Sequence, residues 1–111
     1  KYGKAVSQYE KASKLLKNGP HVGIVRMMKA ECENNKLKDT AAALKSYQKA
    51  VDTVGYFESA KTKALYEIAK IQFEANNNEK ALEAINRIIQ QKKPGLKWKK
   101  QALKLKKQYT K

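Results

Sequence analysis

Apolar residues recur along the chain in steps of three and four, the spacing that lines one face of an α-helix. Ala5, Tyr9 and Ala12 form one such set, Ala43, Tyr47 and Ala50 a second, and Ala81, Ile85 and Ile88 a third. Each set lies 38 residues after the one before it. A small residue followed four positions later by a large one is a packing rule. The small side chain lets a neighbouring helix approach, and the large one fills the space beside it. Between these sets lie helices of another pattern. Leu65, Ile68, Ala69 and Phe73 make one apolar stripe, and Ile24, Met27, Met28 and Ala30 a looser one. Trp98, Ala102, Leu105 and Tyr109 make a last stripe, with Leu103 beside it.

Turn-forming residues divide these stretches. Asn18-Gly19-Pro20 ends the first helix and starts the second, with Gly as a left-handed cap and Pro at a helix start. Asp39 caps the third helix, Gly55 breaks it, and Ser59 caps the fourth. Asn76-Asn77-Asn78 turns the chain into the fifth, and Pro94-Gly95 precedes the sixth. The spacing predicts helices over 2–17, 20–35, 39–54, 59–75, 78–92 and 95–110. Ala, Lys, Leu, Gln and Glu dominate the composition, and they lose least on entering a helix. The expected fold is all-α, built of antiparallel helix-turn-helix repeats stacked as an α-solenoid.

Residues 64–94 resemble a tetratricopeptide repeat, whose pattern runs W-x2-L-G-x2-Y, then A-x3-F, then P. Leu65 stands for the Trp, and Ile68-Ala69 for Leu-Gly. Ala81 and Ile85 stand for the Ala and the aromatic residue, and Pro94 follows one residue late. Gln72 falls where the pattern has an aromatic residue, with Phe73 beside it. The upstream copy keeps Ala43, Tyr47 and Ala50, but Glu31 and Asn34 occupy positions the family makes small and aromatic. The resemblance implies four parts: the second helix of a truncated repeat at 1–19, repeats at 20–57 and 58–94, and a basic capping helix at 95–111. It also implies a fragment of a longer array, because the chain starts at Lys1 with the second helix of a repeat.

Charge changes this picture at one end. The formal net charge is +15, with 25 Lys and Arg against ten Asp and Glu. Nine of those lysines and none of the acids fall in residues 92–111. Lys100, Lys104, Lys107 and Lys111 form a stripe opposite the apolar one, flanked by Lys97, Lys99 and Lys106. Such a face suits an acidic partner or an anionic surface, or serves as a solvated, solubilising face.

Catalytic and metal chemistry is not expected. His21 is the single histidine and sits beside Pro20 at a helix start. Cys32 is the single cysteine, so a Cys/His zinc site would lack ligands, and a buried structural thiol is expected there. The ten acids are expected on solvent faces, and Glu31 and Glu33 cannot converge on one helix. No Gly-rich phosphate loop occurs, since Gly23 and Gly55 are isolated. No cofactor is expected. No stretch is long and apolar enough to cross a membrane.

The expectation is therefore a non-catalytic scaffold that binds a peptide or a segment of another protein, acidic or amphipathic in character. By the resemblance, its groove would be lined by the first helix of each repeat. Met28, Cys32 and Asn35 would line it in one repeat and Lys63, Tyr66, Lys70 and Phe73 in the next, with Lys104 and Gln108 extending the row. Lys63 and Lys70 flanking Tyr66 suit a carboxylate-bearing segment with an apolar anchor. Some family members clamp a C-terminal carboxylate with Lys, Asn and Arg, but here the clamp's Asn positions read Cys32, Lys29 and Glu67. The rival reading is contact of Lys97, Lys100, Lys104, Lys107 and Lys111 with nucleic acid or anionic lipid. With only Arg26 and Arg87 in the chain, such contact would be non-specific and salt-dependent.

Overall fold

The computed structural model describes residues 2–16, 19–91 and 96–109, without the side chains of Tyr2, Leu16, Glu58, Ser59 and Leu96. Lys111, Asn18 and the Pro94-Gly95 turn lie outside the described residues. Among the described residues there are six α-helices: α1 (Tyr2–Leu16), α2 (Pro20–Asn35), α3 (Thr40–Val51), α4 (Glu58–Glu74), α5 (Asn78–Gln90) and α6 (Leu96–Tyr109). No strand occurs among the described residues, so the chain is all-α. The chain divides into two units, residues 1–57 and 58–111, each with its own core.

In the first unit α2 packs on α1 and on α3. Helices α2 and α3 run antiparallel: Arg26 meets Thr53, while Lys29 and Glu33 further along α2 meet Ser46 earlier in α3. Val22, Met27 and Ala30 are buried from α2, and Ala43, Tyr47, Ala50 and Val51 from α3. The small-then-large rule therefore holds in α3. In α1 it holds only by half, because Ala5, Val6, Tyr9 and Ala12 are each half-buried.

The turns follow from specific residues. Asp39 caps α3 by accepting a hydrogen bond from the Ala42 N–H at 3.1 Å. Helix α3 stops at Val51, three residues short of the expected end. The Thr53 hydroxyl donates to the Lys49 carbonyl at 2.7 Å, which gives the backbone an alternative to a further helical turn. Pro20 opens α2, as its fixed φ and missing N–H allow. Gly19 is not the left-handed cap expected of it. Its φ of 102° and ψ of 178° place it in a region open to glycine alone, as the N-cap of α2. Its N–H donates to the Val54 carbonyl at 2.9 Å, and a Cβ on Gly55 would lie 3.2 Å from the Gly19 Cα. The loop before α2 and the loop after α3 thus meet through two glycines.

Gly23 has a similar use. A Cβ built on it would fall 2.2 Å from Cγ of Tyr56, so the Tyr56 ring lies directly on the backbone of α2. The isolated glycine of the sequence is the seat of a buried aromatic residue.

In the second unit α5 packs against α4, and α6 contacts both. Thr62 near the start of α4 donates to the side chain of Gln91 just beyond α5, so these two helices are antiparallel. Tyr66 meets Trp98 and Phe73 meets Tyr109, so α4 and α6 run parallel. Leu65, Ile68, Ala69 and Phe73 are buried from α4, Ala81, Ala84, Ile85 and Ile88 from α5, and Ala102 and Leu105 from α6. Helix α4 ends in a left-handed Asn76, with the Asn77 N–H on the Gln72 carbonyl at 2.8 Å and the Asn76 N–H on the Phe73 carbonyl at 3.0 Å. That is a Schellman closure with asparagine in the usual place of glycine.

Candidate functional site

The expected groove residues belong to both units and separate into three environments. Met28 and Asn35 are exposed on α2. Met28 retains 44% of its surface, a large exposure for an apolar side chain. Together with Ala5 and Tyr9 of α1, and with Glu31, Cys32 and Lys36, they line a cleft of about 370 Å3. Its lining is apolar at Ala5, Tyr9, Met28 and Cys32, and polar at Glu31, Asn35 and Lys36. None of the described side chains of α1 is fully buried, and Ala5 and Tyr9 stay at the rim. Cys32 is half-buried and forms no disulfide. The buried thiol expected from the sequence is instead part of a cleft wall.

In the second unit Lys63 is half-buried and Lys70 is exposed. Tyr66 is half-buried against Trp98, with ring centroids 5.4 Å apart. Phe73 is 1% exposed, stacked on Tyr109 at 4.9 Å with the rings 6° from parallel. The assignment of Phe73 to an open groove is therefore corrected: it is a core residue. The reason is helix geometry. Tyr66 and Phe73 are seven residues apart on α4, so they share a face, and α6 occupies that face. Trp98, on the apolar stripe of α6, is half-buried, and the Lys97 ammonium lies 5.4 Å from its ring centroid.

The lysines of α6 differ in exposure. Lys97, Lys100, Lys104 and Lys107 are exposed on α6, as is Gln108, while Lys99 and Lys106 are half-buried. Helix α6 contains no acidic residue. Its other side is anchored by Ala102 and Leu105. Lys111, the last member of the expected patch, lies outside the described residues.

Two polar arrangements were not legible as sites. Glu33 is 5% exposed, not on a solvent face as expected. Its carboxylate accepts from the Ser46 hydroxyl, which in turn accepts from the Lys29 ammonium at 3.1 Å, and Lys29 stands 3.5 Å from the same carboxylate. The only hint in the sequence was the Lys29–Glu33 spacing of four. A second cleft, of about 320 Å3, is lined from α1 by Glu10, Ser13 and Lys14, from α2 by Arg26 and Lys29, and from α3 and the loop after it by Ser46, Lys49 and Asp52. The residues are scattered over three helices, so no local motif announces them.

Burial raises the Tyr56 phenol above its usual pKa of 10.0, and the nearby Glu31 carboxylate adds to the shift. Among the described residues, no three His, Cys, Asp or Glu side chains gather closely enough to hold a metal ion. No helix over those residues is long and apolar enough to cross a membrane.

Comparison with protein-family models, with curated proteins and with solved structures returns no match. The class the structure itself defines is a protein of packed helices, and the tetratricopeptide resemblance rests on the residues quoted for it.

Proposed function

We propose that the chain is a non-catalytic scaffold of the tetratricopeptide type, which seats a segment of another protein in the cleft between α1 and α2. The observation that supports this most is the exposure of Met28 beside Tyr9 in a cleft that also presents Asn35 and Lys36. An anchor pocket of this kind takes one apolar side chain, and the polar rim orients the backbone around it. Methionine adapts its shape to what it packs against, which suits a segment of variable sequence. The net charge of +15 favours an acidic segment.

A library of acidic, amphipathic peptides tests this. Binders should perturb the amides of residues 5–9 and 28–36 in a nuclear magnetic resonance titration. Met28→Glu should weaken them at least about tenfold, because it places a charge in the anchor pocket. Met28 is exposed, so the variant should keep its unfolding midpoint. Binders that ignore Met28→Glu, or a library that yields none, would refute the reading.

The lysines of α6 support a second reading, contact with nucleic acid or anionic lipid. The observation that favours it is an exposed row of Lys97, Lys100, Lys104 and Lys107 on a helix without acids. Affinity for random duplex DNA and for anionic vesicles, measured at two salt concentrations, separates the readings. Neutralising four phosphates gives a log–log salt slope of about −3.6 on duplex DNA. Changing Lys100, Lys104, Lys107 and Lys111 to Glu should then abolish binding. Absence of binding at low salt would remove this second reading.

A further inference from the structure

We infer that the cleft framed by α1, α2 and α3 binds the phosphate group of a small phosphate ester. It lies on a different face of α2 from the Met28 cleft and is independent of it. Four cations line it, and they come from three helices: Lys14 from α1, Arg26 and Lys29 from α2, and Lys49 from α3. Lys29 is already engaged by Glu33 and Ser46. The other three differ. Among the described residues, no carboxylate lies within ion-pair reach of Lys14, Arg26 or Lys49. Arg26 is half-buried, and its guanidinium donates to the Thr53 hydroxyl at 2.6 Å. Thr53 is itself buried and donates to the Lys49 carbonyl, so Arg26 is held in place by a group that takes only one of its five N–H donors.

A half-buried guanidinium held at one N–H leaves the rest of its donor fork for an oxyanion, the group whose geometry it matches. Cations approaching from three helices surround a tetrahedral anion better than a planar carboxylate, which offers only two oxygens. The volume of about 320 Å3 lies at the small end of the range for small-molecule sites. Glu10 and Asp52 share the lining, and Asp52 also accepts from the Gln48 side chain at 3.2 Å. Their carboxylates offset part of the positive charge. They also supply acceptors for hydroxyl or amino groups on the body that carries the phosphate, so an ester bearing such groups should bind better than the bare ion. Lys100, Lys104 and Lys107 of α6 are the natural control, since they are exposed cations on a single helix.

Nuclear magnetic resonance titration of the whole chain with inorganic phosphate and with glycerol 3-phosphate, at constant ionic strength, tests the site. Saturable shifts are expected at the amides of Ser13, Lys14, Arg26 and Lys49, with smaller and unsaturated ones along α6. Glycerol 3-phosphate should bind more tightly than inorganic phosphate. The reverse order would assign the site to the free ion, and binding of both would still uphold it as a phosphate site. Arg26→Gln should weaken binding at least about tenfold, as loss of a charge-assisted contact does. Arg26 also holds Thr53, so Lys49→Gln, an exposed change, serves as the second variant and should weaken binding several-fold with an unaltered unfolding midpoint. Shifts confined to α6, shifts insensitive to both substitutions, or no saturation with either probe would overturn the assignment.

Discussion

Two residues, Gly23 and Tyr56, constrain the packing of the first unit. Gly23 lies inside α2, where alanine would ordinarily stabilise a helix by about 0.5–1 kcal/mol. Here the added methyl would sit 2.2 Å from Tyr56 Cγ, so the ring would have to leave its seat. Overpacking of this kind costs about 1–3 kcal/mol and outweighs the helix gain. Gly23→Ala should therefore lower the denaturation midpoint. Tyr56 adds a pH dependence. Its phenol is held protonated by burial and by Glu31, so the folded chain keeps this proton to higher pH than the unfolded chain. The contribution is intact below the ordinary pKa of 10.0 and is lost as pH rises above it. Stability measured across that range should decline more steeply for the natural chain than for Tyr56→Phe.

At the scale of helices, the apolar periodicity was the most informative feature of the sequence. Every member of the Leu65, Ile68, Ala69 and Phe73 stripe is buried, as are Ala43, Tyr47, Ala81 and Ile85. Helix starts and stops were legible where a side chain carries the instruction, as at Asp39 and Pro20. They were not legible where the instruction is a tertiary contact. Gly19 and Gly55 look like simple breakers, but their conformations serve the contact of two loops. Phe73 shows the same limit at the candidate site. Periodicity places it on a face with Tyr66, but not which neighbour covers that face, and α6 does. The second cleft was invisible because its residues are non-local. Helix α1 follows from these rules as the weakest element. None of its described side chains is fully buried, and Leu15 is 83% exposed. Hydrogen exchange should find α1 opening well below the global unfolding free energy, while α4 exchanges only with global unfolding of its unit. Equal protection of the two helices would contradict this.

For the molecule as a whole, charge is the dominant property. A net +15 over 111 residues destabilises the compact state by self-repulsion, and nine of the lysines lie in the last twenty positions. Added salt shortens the range of that repulsion to about 10 Å at 0.1 M. The unfolding midpoint should therefore rise with sodium chloride over the range in which the Debye length falls below the helix length. The gain should shrink when Lys100, Lys104 and Lys107 are changed to Gln. An unchanged salt response in that variant would show that the repulsion is spread evenly and not concentrated in α6.

The meeting of Gly19 with Gly55, and of Gly23 with Tyr56, also bears on the order in which the first unit forms. These contacts join residues far apart in the chain, and neither can be made until α2 and α3 lie side by side. They are therefore expected to form late in assembly, and a φ-value analysis tests this. A substitution there, such as Gly23→Ala, should leave the refolding rate nearly unchanged and speed unfolding instead, giving a φ-value near zero. The three glycines then act as a latch: they set how long the unit stays folded, and have little say in how fast it gets there.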